Sequence, residues 1–72
     1  MIEFTIILEP DPEGGFTVLV PALPGCITQG RTKEQAIQRA REAIVLHLES
    51  LLADGESIPE DLPSAEVLKV AV

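Results

Sequence analysis

Apolar and polar residues alternate with period two over residues 2–9. Ile2, Phe4, Ile6 and Leu8 fall on one side, and Glu3, Thr5, Ile7 and Glu9 on the other. That pattern predicts a half-buried β-strand in which Ile7 is the one apolar residue on the outer side. Pro10-Asp11-Pro12-Glu13-Gly14-Gly15 is turn chemistry, and residues 16–20 alternate again, with Phe16, Val18 and Val20 together. Two such runs joined by a turn predict a β-hairpin. A corner follows at Pro21, Pro24 and Gly25, where two residues of fixed φ precede a permissive one. Residues 26–29 then form a short third strand, and Gly30 lets the chain turn toward a helix.

From Thr32 onward the period lengthens. Ile37, Ala40, Ile44, Leu48 and Leu51 make one apolar stripe at spacings of three and four, widened by Ala36, Ala43 and Leu52. Thr32 is a suitable N-cap, and Gln35 three residues later completes a capping box. Asp54-Gly55 ends the helix after roughly twenty residues, or about 30 Å. Residues 56–64, with Pro59 and Pro63, form an irregular return. Residues 66–72 are β-rich and predict a last strand that rejoins the sheet beside the first. The fold class is α+β, ordered β-β-β-α-β, with one helix on one face of a small sheet and a single domain over residues 1–72.

Some apolar positions are left without a place in that core. Leu46 projects among Arg39, Glu42, Glu49 and Ser50, opposite the stripe, and Val45 lies at the stripe's margin. Ile7, Leu19 and Val67 would populate the second face of the sheet. Spare apolar surface on both elements predicts a partner or a self-association face. The contact residues are accordingly Leu46, Val45, Glu42, Glu49, Ile7 and Leu19, and a homo-oligomer, dimer or tetramer, is expected.

Charge narrows the choice of partner. Twelve acidic residues against five basic ones leave a net charge of -7, and there is no Trp or Tyr. Nucleic-acid binding needs clustered bases or aromatic stacking platforms, so direct contact with DNA or RNA is not expected. An acidic surface instead steers association with a basic protein. The same charge would also simply keep a small chain soluble.

Catalytic parts are scarce. Cys26 and His47 are the single thiol and the single imidazole. No spacing signature pairs them, and a buried Cys with a packed or surface His is the plainer reading. One Cys and one His cannot build a structural zinc site. The inner side of the first strand carries no acid, which argues against two-metal nuclease chemistry. No metal, cofactor or enzymatic activity is expected. A lone cysteine gives no internal disulfide, and no signal peptide or run of about twenty apolar residues is visible. A cytoplasmic protein that stays off the membrane is therefore expected.

Several segments together resemble the HicB-like antitoxin family. These are Gly14-Gly15-Phe16-Thr17-Val18, Pro21-Ala22-Leu23-Pro24-Gly25-Cys26, Gly30-Arg31-Thr32-Lys33-Glu34-Gln35-Ala36 and Arg41-Glu42-Ala43-Ile44, followed by Gly55-Glu56-Ser57-Ile58-Pro59. Within them Pro21, Pro24, Gly25, Gly30 and Thr32 form the structural signature. The resemblance implies a fold like a reduced RNase H unit. It also implies an antitoxin that masks a HicA-type toxin, a small basic protein that cleaves mRNA with a histidine. Many members continue into a C-terminal DNA-binding domain, so a chain ending at Val72 is expected not to touch an operator. A stand-alone structural or regulatory oligomer with no toxin is the alternative.

Overall fold

The period-two segments assemble into a three-stranded antiparallel sheet in the computed structural model, which describes residues 2–61 and 68–72. Strands β1 (Ile7–Pro10), β2 (Phe16–Leu19) and β3 (Ile27–Gly30) lie in that spatial order, and helix α1 (Lys33–Ala53) follows them. Leu8 stands opposite Val18, which stands opposite Thr28; one position along, Ile7, Leu19 and Ile27 form the next row. Successive rows face opposite sides of a sheet. The Leu8–Val18 side meets the helix, and the Ile7–Leu19–Ile27 side faces away.

Two apolar clusters join sheet to helix. At the hairpin end Val18, Ala36 and Ala40 are buried together, with Ile6, Leu8 and Phe16 packed around them. Alanines on the helix there let its backbone approach the sheet closely. At the corner end Val20, Leu23 and Cys26 are buried against Phe4, Ile44, Leu48 and Leu51. The corner is a tight hydrogen-bonded loop. The Leu23 N–H donates to the Val20 carbonyl at 3.0 Å, and the Cys26 N–H donates to the Leu23 carbonyl at 2.9 Å. Gly25 takes φ +84°, the left-handed conformation that the corner requires there.

Local chemistry closes the helix at both ends. The Thr32 side chain accepts from the Gln35 N–H at 3.0 Å, and Gln35 Oε1 accepts from the Arg31 N–H at 2.6 Å. The reciprocal pair of a capping box is present, displaced by one residue on its return arm. At the other end the Gly55 N–H donates to Leu52 and the Glu56 N–H to Leu51, with Gly55 at φ +74°. This is a Schellman motif. Thr32→Ala is expected to cost about 1 kcal/mol. Thermal unfolding followed at the helical circular-dichroism band checks it, and Thr32→Ser should retain most of the stability.

Four sequence expectations are corrected. β1 begins at Ile7 rather than Ile2, because its register would set Thr5 opposite Pro21, where β2 has already given way to the corner. The Asp61 carboxylate instead accepts from the Thr5 N–H at 2.8 Å and from the Thr5 hydroxyl at 2.7 Å. Gly30 has no positive φ, so conformational freedom is not what the chain needs from it. Leu52 is exposed rather than part of the buried stripe, since the last helical turn presents Leu51 to the core instead. Finally, residues 68–72 carry no strand and are exposed. They have no paired neighbour within the sheet, whose order ends at β1 on one side and β3 on the other. The remaining part of that expected strand, with Val67, lies outside the described residues. Among the described residues the architecture is β-β-β-α, so the RNase H-like label is not reached.

Candidate protein-contact surfaces

Helical spacing sets Glu42, Leu46 and Glu49 on one face of α1, at i, i+4 and i+7. Leu46 is 66% exposed and lies between two exposed carboxylates. It borders a groove of about 490 Å³ between α1 and β3, together with Thr28, Gln38, Arg39 and Glu42. Among these lining residues Gln38 Nε2 donates to Glu42 Oε1 at 3.3 Å, one turn further along the helix.

Val45, one residue earlier and 49% exposed, belongs to the other flank of the helix. It lines a groove of about 550 Å³ with Ile2, Phe4 and Ile6. Ile7 and Leu19 lie on neither flank but on the sheet face turned away from the helix. The six residues singled out from the sequence are therefore distributed over three surfaces. Ile27, 59% exposed, extends the Ile7–Leu19 row across all three strands. The sequence reading missed it, although the signal was available. Once Cys26 points into the core, period two turns Ile27 outward.

The signature residues have structural work. Pro21, Pro24 and Gly25 shape the corner that inserts Leu23 into the core, while Thr32 caps α1. Gly30 meets the first turn of the helix at close range: a Cβ built there would lie 2.5 Å from the Ala36 nitrogen.

Charge is segregated. Every described acidic residue except the half-buried Asp61 is exposed. Along α1 the bases Lys33, Arg39 and Arg41 stand in the first half together with Glu34 and Glu42, whereas the second half and its cap carry Glu49 and Asp54 and no Lys or Arg. The groove beside the hairpin turn mixes signs, with Arg31 and Arg39 near Asp11 and Glu13, and so makes no anion cradle. Cys26 is buried, and desolvation pushes its thiol pKa up, away from the thiolate that a nucleophile needs. Among the described residues no three His, Cys, Asp or Glu side chains converge as a metal site would require. No helix among them is long and apolar enough to cross a membrane.

The described residues thus form a small α+β domain with many exposed carboxylates, exposed apolar side chains on the helix and on the outer sheet face, and a buried cysteine. Comparison with known proteins identifies its family. Residues 4–70 match the model of the HicB-like antitoxin of bacterial toxin-antitoxin systems. The chain belongs to that family. A UPF0150 protein of Thermoplasma acidophilum is 47% identical over 60 residues, which cover 83% of this chain and 87% of that protein. Antitoxin HicB of Escherichia coli K12 is 35% identical over 63 residues, covering 88% of this chain and 44% of the antitoxin. Antitoxin HicB 1 of Photorhabdus laumondii is 38% identical over 58 residues, covering 81% and 37%. The chain thus spans less than half the length of the two named antitoxins.

Proposed function

We propose that this chain is the toxin-binding module of a HicB-type antitoxin. In this reading it acts in the cytoplasm, without catalysis of its own, by occluding a small basic HicA-type toxin that cleaves mRNA. The observation that carries the reading is the exposed acidic exterior on a domain of antitoxin family. A ribonuclease must present bases to phosphate, and those bases are what an acidic partner neutralises. The second half of α1 supplies the contact face. Leu46 offers exposed apolar area there for a partner to cover, and Glu42 and Glu49 flank it at the spacing that lets both reach one basic surface. An apolar anchor within a charged rim is the usual composition of such an interface.

The test uses the purified chain and a purified HicA-type toxin. The two should associate at low salt, with affinity that falls as salt rises, and the toxin's cleavage of RNA should stop on association. Glu42→Lys combined with Glu49→Lys should weaken binding about 10- to 100-fold at low salt, and by much less at high salt. Failure of the wild-type pair to associate at low salt would exclude the reading. Unchanged affinity in the double variant would move the contact to another face.

A further inference from the structure

Resting on the toxin-binding reading above, we infer that an extended segment of the basic partner adds as a strand to the outer edge of β3. Its alternating side chains cover Ile27 on one face of the sheet and Leu46 on the other. The Val20 N–H donates to the Cys26 carbonyl at 3.2 Å, in the register that pairs Val18 with Thr28 and Phe16 with Gly30. Antiparallel pairing therefore directs the backbone of even-numbered β3 residues toward β2, and that of Ile27 and Gln29 outward. The next outward N–H, that of Arg31, is already held by Gln35 Oε1. Ile27 and Gln29 thus offer their N–H groups and carbonyls to a neighbour, and the helix cap marks where pairing would stop.

This edge lacks the usual protection against strand addition. β3 reads Ile-Thr-Gln-Gly, with no charge and no proline, whereas β1 at the opposite edge contains Glu9 and Pro10. Ile27 is exposed on the sheet face turned away from the helix. On the helix side, Thr28 and Leu46 border the groove of about 490 Å³. A strand beside β3 sends successive side chains to these two sides, so it covers both apolar groups at once. The helix returns along β3 after Gly30. Arg39, which also borders the hairpin groove with Gly30, therefore stands at one end of the new strand's path. Glu42, Leu46 and Glu49 follow toward the Ile27 end.

Charge selects the occupant. A second copy would bring together two chains of net charge -7, and a sheet continued through two β3 edges would set their helices side by side, each bearing Glu42 and Glu49. The chain's own continuation leaves in the other direction, since Asp61 accepts from Thr5 on the β1 side of the sheet. A partner segment with a basic side chain toward the helix meets Glu42 and Glu49 instead, and an acidic or polar one at the Gly30 end meets Arg39. Main-chain pairing of this kind supplies affinity whatever the added sequence, while the flanking side chains supply the choice of partner.

Amide hydrogen exchange of the chain alone and in complex with a purified HicA-type toxin reads the edge directly. The Ile27 and Gln29 amides should exchange freely in the chain alone and slow at least about 10-fold in the complex. Gln29→Pro removes an outward N–H at a position where an edge strand tolerates proline, so it should stay folded by circular dichroism. It should raise the dissociation constant at least about 10-fold at about 50 and about 500 mM salt alike, because a blocked edge is not relieved by screening. Gln29→Ala, which keeps the N–H, should raise it much less. If Gln29→Pro fails to fold, exchange in the wild-type complex decides. A complex that leaves Ile27 and Gln29 unprotected overturns the inference while the toxin-binding reading stands, and so does a Gln29→Pro that binds as well as Gln29→Ala. Protection in the chain alone that grows with its concentration overturns it too, and assigns the edge to a second copy. Failure of the wild-type pair to associate at low salt removes the toxin-binding reading itself, and the inference with it.

Discussion

Gly30→Ala is expected to destabilise the domain by about 3 kcal/mol, at the upper end of what overpacking costs, and to lower its melting temperature by more than about 10 °C. A Cβ at position 30 would stand 2.5 Å from the Ala36 nitrogen, 2.7 Å from the Ala36 Cα and 2.9 Å from the Gln35 carbonyl carbon. All three neighbours are backbone, so no side chain can rotate out of the way. Relief requires α1 to lift from the end of β3. That movement would pull Ala36 and Ala40 away from Val18, which together make the hairpin-end cluster. It would also strain the bond from the Arg31 N–H to Gln35, which anchors the first turn to the residue after β3. A domain of this length has about 4–11 kcal/mol of total stability, so the loss is a large fraction of it. Thermal and urea unfolding measure the effect. Because the clash is with backbone, Ala36→Gly should not rescue Gly30→Ala. Rescue by that second change would show that the contact is made by the Ala36 methyl and that the helix backbone is not the obstacle.

That close approach also shows where sequence patterning stops. Periodicity identified the helix, its cap at Thr32 and its Schellman end at Gly55 because capping and the 3.6-residue period are local. It likewise separated Leu8 and Val18 from Ile7 and Leu19. Gly30 was legible as a special position but for the wrong reason: a glycine needed for turning and one needed for proximity look alike without a third dimension. The start of β1 was not legible either. Alternation continues back to Ile2, but a strand lasts only as long as its neighbour, and Pro21 takes that neighbour away. Residues 68–72 have the composition of a strand and are not one, since pairing is a property of two segments. The candidate contact residues show the same limit. Exposure of Leu46 followed from the helical wheel, whereas the separation of Val45 from Leu46 depends on where residues 2–6 and β3 lie against the helix. For Ile27 period two from Cys26 gave the outward direction, and its register with Leu19 adds that the outer row crosses all three strands.

The corner carries the other large effect. Leu23→Ala is expected to cost about 3–4 kcal/mol, within the range for a leucine removed from a core that cannot collapse around the gap. Leu23 is fully buried although it sits in a loop between two prolines, and it is one of the two largest side chains that are completely enclosed. Its neighbours Val20 and Cys26 are held by the corner's own hydrogen bonds, so the loop cannot close inward to fill the space. On the far side the cavity would face Ile44, Leu48 and Leu51, the apolar stripe of the helical half whose outer face bears Leu46 and Glu49. The substitution keeps every backbone donor and acceptor of the corner. Leu23→Met, which roughly conserves volume, should therefore cost less than about 1.5 kcal/mol. Urea denaturation separates the cases. Leu23→Ala should lower the midpoint with little change in the slope, because the surface exposed on unfolding is nearly the same. Equal losses in the Ala and Met variants would mean that the corner stabilises the fold through its backbone geometry rather than through the side chain it inserts. A loss confined to Ala would establish that this proline-glycine corner is a core element, and that its sequence signature reports the need to deliver Leu23 to the helix.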